Sequence, residues 1–328
     1  MSAVKKIKIR LEACSFLTEQ RTDPLLSMAR HHGVNGSSFQ AVVGRTVERV
    51  AAEPEGLLDE MAIGQRLCCL VNVSDLAGGK VAPELEISPY TAHPVPPNVS
   101  SIDCAASLLP AMRISTSLHS MARIRRSESV LIACPNDLNL TCIAVQICQN
   151  LNLKASAAVL DDAAMNFIRE KTHSKNLFKL ESLDDDAIEQ ACDGFTGGLG
   201  FDCILDFKNS DPDLSGTPSI KFGKLVSALA AFGSIITDRQ GVAIAASDVN
   251  ILHLKSCSVH FLFDQTWQLS PIHHGRYKHI LADVVDQLAT EKLRPLIGLE
   301  ADSVNMDDVP AKHDQRVGCT VIKFPIDA

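Results

Sequence analysis

A chain of 328 residues, 46% hydrophobic and 21% charged, carries enough apolar material for two domains or one large α/β unit, which excludes a disordered class. A formal net charge of −8 argues against nucleic acid as a direct partner. Eleven cysteines without a Cys-x-x-Cys pair point to reduced thiols in a cytoplasmic setting, and no apolar run approaches the ~20 residues of a membrane span.

The first residues, Met-Ser-Ala-Val-Lys-Lys, lead into a strand pattern and lack the apolar region of a signal peptide. Residues 6–12 alternate, with Ile7, Ile9 and Leu11 on one face and Lys6, Lys8, Arg10 and Glu12 on the other, which predicts a half-buried antiparallel strand. Short β-like pieces follow at Ala41–Val50 and Arg66–Val73. Pro94, Pro96 and Pro97 then punctuate the chain.

From about residue 98 to 291 strands and helices alternate. Strands are predicted at 129–134, 155–160, 201–206, 234–237 and 257–263, and helices at 103–122, 140–151, 162–171, 184–192, 220–231 and 276–290. The last helix carries a continuous apolar stripe of Tyr277, Ile280, Leu281, Val284, Val285 and Leu288. Gly233 is expected to stop the helix before it. Repeated β-α alternation implies a parallel sheet with helices on both faces. The tail from Arg294 returns to β-like segments ending in Cys319–Phe324. This order predicts a split β domain with an α/β insert.

No glycine occurs between Ser127 and Asp193. The stretch opens with the apolar run Ser129–Cys134, then Pro135-Asn-Asp-Leu-Asn139, then a helix with Leu140, Ile143, Ala144, Ile147 and Leu151 on one face. That is the first β-turn-α of a dinucleotide-binding domain with its phosphate loop rewritten. Such a loop needs glycines for a tight turn, close approach of N–H groups to pyrophosphate, and helix-strand packing. Pro135 has no N–H, Asp137 is negative, and Leu138 and Leu140 are bulky. Two like charges ~4 Å apart near a surface repel by about 4 kcal/mol. Two readings stay open: Asn136, Asp137 or Asn139 caps the helix, or the loop is an unusual phosphate site. Asp161 and Asp162 follow the next strand, where an acid accepts a ribose 2′-hydroxyl or caps the next helix.

Several phrases carry a family resemblance: Gly197-Gly-Leu-Gly-Phe-Asp-Cys-Ile-Leu-Asp206, Leu254-Lys-Ser-Cys through Trp267-Gln-Leu-Ser270, Gly275-Arg-Tyr-Lys-His-Ile-Leu281 through Leu293-Arg-Pro295, and Ile9-Arg-Leu-Glu-Ala-Cys14. They resemble the medium-chain dehydrogenase/reductase superfamily, and within it the quinone oxidoreductase branch. The likeness covers most of the chain and is faint in 50–95 and 207–220. It implies an α/β protein in which a Rossmann-type domain, 98–291, is inserted in a GroES-like β domain formed by 1–97 and 292–328. Relatives usually carry a further β-hairpin at the start, so a shortened N-terminus is expected.

The resemblance also implies an NADPH-dependent reductase with its cofactor in the cleft. Matched to the family, the candidate cofactor-binding residues are Asn136, Asp137, Asn139, Thr141 and Asp161, for NADP or NAD. The catalytic zinc positions fall on Leu17, Arg45 and Thr46, none of which can ligate zinc there, so no metal is expected. Adjacent Cys68 and Cys69 point to opposite strand faces. His273, His274 and His279 suit a solvated helix end, and Arg123, Arg125 and Arg126 an exposed turn.

Two functions follow as expectations. The first is a diverged quinone oxidoreductase-like protein, weakly catalytic or non-catalytic, acting as a subunit or adaptor in a protein complex of the endosomal Rab-effector type. It would be cytoplasmic, associate with endosomes through partners, and dimerise through Ser256–Phe263 as a sheet edge. The second is an active zinc-independent NAD(P)H oxidoreductase reducing quinones or enones, with phosphate held near Gly197–Gly200. In this branch hydride transfer is carried by the cofactor and needs little side-chain chemistry.

Overall fold

Alternation in the first strand sets the core of one unit. Ile7, Ile9 and Leu11 in β1 (Ile7–Phe16) are fully buried and pack with Val42, Leu67, Cys69 and Ile322. In this computed structural model the described residues are 7–16, 39–49, 61–72, 84–180, 186–207, 220–239, 242–264, 266–269, 271–301 and 319–324. The chain divides into two compact units, one of Met1–Leu109 with Asp264–Ala328 and one of Pro110–Phe263.

The first unit holds a seven-stranded sheet. Along β1 lie β2 (Phe39–Arg49), β3 (Arg66–Asn72), β4 (Glu84–Ile87), β5 (Ala92–Pro94), β12 (Ile297–Ala301) and β13 (Cys319–Lys323), ordered β12-β13-β1-β2-β3-β5 with β4 also on β1. The last strand pairs antiparallel with the first, Ala13 opposite Lys323, so the two ends of the chain close one sheet. Glu12 departs from the expected polar face. It is buried, and its carboxylate accepts from Arg45 Nε and Ser101 Oγ, each at 2.5 Å. A buried acid persists where it is paired in this way.

The second unit is a six-stranded parallel sheet of β6 (Ser129–Ala133), β7 (Lys154–Val159), β8 (Leu177–Lys179), β9 (Phe201–Asp206), β10 (Leu229–Thr237) and β11 (Ser258–Phe261). Its order, β11-β10-β9-β6-β7-β8, reverses between β6 and β9, the doubly wound arrangement. The expected edge run is β11, shorter than foreseen. Among the described residues the α-helices in chain order are α1 (Ser101–Ser115), within which the unit boundary falls, α2 (Leu138–Asn150), α3 (Asp162–Thr172), α4 (Ala187–Thr196), α5 (Phe222–Ser227) and α6 (Ala246–Leu254) of this unit, and α7 (Thr266–Leu269) and α8 (His274–Ala289) of the first.

Three expectations are corrected. The helix over 103–122 becomes α1 followed by a π segment, Thr116–Ala122, ended by Arg123 in the left-handed region at φ 53°. The helix over 220–231 stops at Ser227, because Leu229 already pairs with Phe201. Gly233 is no helix stop. It lies inside β10, where a Cβ would come 2.9 Å from Phe201 O and 3.0 Å from Ala230 O. Helix α6 was not foreseen, because its apolar residues form no single face and none is fully buried.

Left-handed non-glycine residues gather at the amino ends of the parallel strands: Arg123, Ser127, Asn152, Phe232 and Ser256. Phe232 (φ 63°) is the bulkiest and is 82% exposed. The conformation costs about 1–2 kcal/mol, and burial of the ring does not offset it.

Nine of the eleven cysteines are buried, and Cys257 and Cys319 are partly accessible. Burial pushes the thiols of Cys14 and Cys148 up to about 12 and of Cys142 to about 11. They are therefore protonated at pH 8 and poor nucleophiles. An aromatic disulfide reagent at that pH should modify Cys257 and Cys319 first. Rapid labelling of Cys14 or Cys148 in folded protein would contradict the packing.

Candidate functional site

In open parallel sheets ligands bind beyond the carboxyl ends of the strands, where the strand order reverses. Here that place is framed by the ends of β6, β9 and β10.

The β6–α2 connection is a tight turn. Asp137 N–H donates to Cys134 O at 3.2 Å, and Pro135 is buried inside the turn. Asp137 is the N-cap of α2, with extended backbone at φ −133° and ψ 98°, and its Oδ1 accepts from Leu140 N–H at 2.9 Å. Of the possible caps read from the sequence, Asp137 fills the role. Thr141 Oγ1 donates to Cys134 O at 2.7 Å and lies 2.9 Å from Asp137 O. Leu138, Asn139, Leu140 and Thr141 are all buried, and Asn136 is half-buried. Asp161 caps α3, its Oδ1 accepting from Ala164 N–H at 2.7 Å beyond the end of β7, and is exposed.

A network that the sequence reading missed fills the ends of β9 and β10. Asp206 is fully buried, and Arg239 grips it with two bonds, Nε to Oδ2 at 2.7 Å and Nη2 to Oδ1 at 2.8 Å. Thr237 Oγ1 donates to the same Oδ2 at 2.8 Å, and Arg239 Nη2 also donates to Ile220 O at 2.6 Å. Arg113 pairs with Asp238 at 3.2 Å and lies 5.8 Å from the centre of the Phe207 ring. The signal was present as an acid closing a buried apolar strand, since a charge in that position must be paired.

Electrostatics here disfavour an anion. The Cys134 thiol is pushed well up, first by burial and further by the carboxylates of Asp238, Asp206 and Asp137, against a backbone hydrogen bond at Phe207. Among the described residues, Asp238 is paired with Arg113 and Asp206 with Arg239, while Asp137 caps α2. A carboxylate at a helix N-terminus gains about 0.3–1 kcal/mol from the helix dipole. The side chain thus takes the interaction that a phosphate would otherwise take. The residues of the β6–α2 turn do not fit a pyrophosphate in the usual pose, and among the described residues of the site no activated nucleophile stands.

The zinc positions fit no metal either. Arg45 is bound to Glu12, and Thr46 Oγ1 donates to Gln65 O at 3.2 Å; Leu17 lies outside the described residues. Among the described residues no three His, Cys, Asp or Glu side chains are grouped to hold an ion. His274 stacks on Tyr90, with ring centres 6.3 Å apart. Gly197 (φ 64°) ends α4, and Gly198 and Gly200 complete the turn into β9. No described helix is long and apolar enough to cross a membrane.

No family model matches the chain. It is 26% identical over 242 residues to quinone oxidoreductase-like protein 1 of Mus musculus, covering 69% of this chain and 67% of that protein. Among solved structures it is similar to an alcohol dehydrogenase superfamily protein from Novosphingobium aromaticivorans, with a TM-score of 0.72, 15% identity, and 97% and 91% of the two chains covered. It is likewise similar to a 2-haloacrylate reductase, with a TM-score of 0.71, 15% identity and 98% and 91% covered. A third likeness is to a mycobacterial protein complexed with NADPH, with a TM-score of 0.70, 15% identity and 97% and 91% covered. The fold is that of the medium-chain dehydrogenase/reductases, and the resemblance to their quinone oxidoreductase branch is borne out.

Proposed function

We propose that this is a diverged quinone oxidoreductase-like protein that is weakly catalytic or non-catalytic and works as a subunit of a protein assembly. The observation that carries the reading is Asp137. Its carboxylate occupies the helix N-terminus that a reductase offers to its dinucleotide. The loop is further closed by Pro135 and by the buried side chains of Leu138 and Leu140. As the outer strand of the parallel sheet, β11 supports pairing with a second copy.

Calorimetric titration of the full chain with NADPH and NADH tests the proposal. No saturation should appear up to millimolar cofactor. A Kd tighter than ~100 μM, about 5.5 kcal/mol of binding, together with quinone turnover, would overturn it. Pro135→Gly with Asp137→Gly should raise cofactor affinity while costing only about a few tenths of a kcal/mol for the lost cap. Unchanged affinity would put the defect elsewhere.

One observation favours a working reductase instead. Asp161 is exposed beyond β7, with a carboxylate suited to a ribose 2′-hydroxyl and repelling a 2′-phosphate. That reading requires NADH to bind more tightly than NADPH, which the same titration measures.

A further inference from the structure

The start of α8 carries a surface that neither the fold nor the cofactor question uses. Between Thr266 and Ala282 the chain has no acid and five basic side chains, His273, His274, Arg276, Lys278 and His279, in a protein of net charge −8. The elements packed there are α7, the 3-10 turns Pro89–Thr91 and Pro271–His273, β5 and the first turns of α8. All belong to the first unit, and none adds a carboxylate. Asp264, the last acid before this stretch, is half-buried. The first acid along α8 is Asp283, about 10 Å along the axis from Arg276, and it accepts from Gln287 Nε2 at 2.7 Å. Cations are unfavourable at a helix start, so their placement does nothing for α8 itself.

An aliphatic side chain stands beside these charges. Ile272, in the turn that leads into α8, is 85% exposed, so it protrudes with almost no cover from its own chain. Two amphipathic aromatics flank the histidines that follow it. The half-buried Trp267 meets His273 edge-on, with ring centres 6.2 Å apart, and the exposed Tyr90 stacks on His274. Such rings suit a boundary between an apolar and an aqueous phase.

We propose that this surface rests on a membrane rich in anionic lipid. Ile272 enters the acyl chains at the headgroup boundary, and Arg276, Lys278 and the histidines meet the lipid phosphates. A protruding aliphatic side chain needs an apolar phase, which a nucleic acid backbone does not offer. A stable protein contact buries about 800 Å² on each partner, more than one aliphatic tip and two partly covered rings supply. A bilayer needs no matching pocket, and a small apolar insertion acts on it together with basic charge. The contact is weak and reversible, and it follows the charge of the lipid, because the protein as a whole is negative. It does not rest on the subunit reading: a cofactor titration and a vesicle titration succeed or fail separately.

The chain's one tryptophan, Trp267, lies in this surface and reports on it. The full chain is titrated with vesicles of phosphatidylcholine alone and of phosphatidylcholine with phosphatidylserine. Tryptophan emission should shift to the blue and saturate only with the serine lipid. It should be quenched by acyl chains brominated near the headgroup, and the response should weaken with salt. Arg276→Glu and Ile272→Ser should each weaken binding about tenfold. Both side chains are exposed, so these variants keep the fold. An equal response to both vesicles, or none to either, would overturn the proposal, as would binding without quenching or binding that neither variant weakens. Weakening by Arg276→Glu and none by Ile272→Ser would overturn it in favour of a polyanion such as RNA.

Discussion

Asp206→Ala is expected to destabilise the parallel-sheet unit by about 3–5 kcal/mol, the range for removing one partner of a buried ion pair. The aspartate is fully enclosed and accepts two bonds from Arg239 and one from Thr237. Alanine would leave a buried guanidinium with Ile220 O as its remaining named acceptor. Domains are stable by about 5–15 kcal/mol, so the change consumes much of the margin. Replacing Asp206 and Arg239 together by leucines should cost less than the sum of the single changes, because no charge is stranded. Urea unfolding followed by circular dichroism measures both. Fluorescence alone is a poor monitor here, because the one tryptophan, Trp267, belongs to the other unit. A loss below about 1 kcal/mol for Asp206→Ala, the value of an ordinary hydrogen bond, would show the network to be dispensable.

Gly200→Ala should cost about 2–5 kcal/mol, combining left-handed strain with overpacking. Its φ is 92°, and an added Cβ would stand 2.4 Å from Ala230 N and 2.5 Å from Leu229 C. Both neighbours are backbone, so no side chain can swing aside. β9 and β10 would have to separate where Leu229 pairs with Phe201. Gly197→Ala is the comparison, with positive φ but nothing within 4 Å of its Cβ. It should lose only about 1–2 kcal/mol. Equal losses at the two positions would mean that the close approach is not what Gly200 serves.

Much of the architecture was legible because burial leaves periodic traces. The buried run in β9 and the stripe on α8 named their elements within a residue or two. Residues 228–231 were misread because Ala-Leu-Ala-Ala continues a helical pattern, and only pairing with Phe201, a tertiary fact, makes it a strand. Strands β5 and β8, three residues each, are too short to show a period. At the site, the capping alternative for Asp137 and Asp161 was readable from the acid before each helix. The pairing of Asp206 with Arg239 was not, since the partners lie 33 positions apart and meet only when β9 and β10 lie side by side.

A helix start served by its own Asp137 has a consequence for thermal stability. A dinucleotide enzyme draws stability from its ligand by mass action, about 2.7 kcal/mol at a hundredfold excess over Kd, so its lifetime follows the supply of reduced cofactor. Here the carboxylate that fills the position is part of the chain. On the proposed reading, the melting temperature should not shift with added NADPH, which thermal unfolding with and without the cofactor measures; a rise with cofactor would overturn that reading.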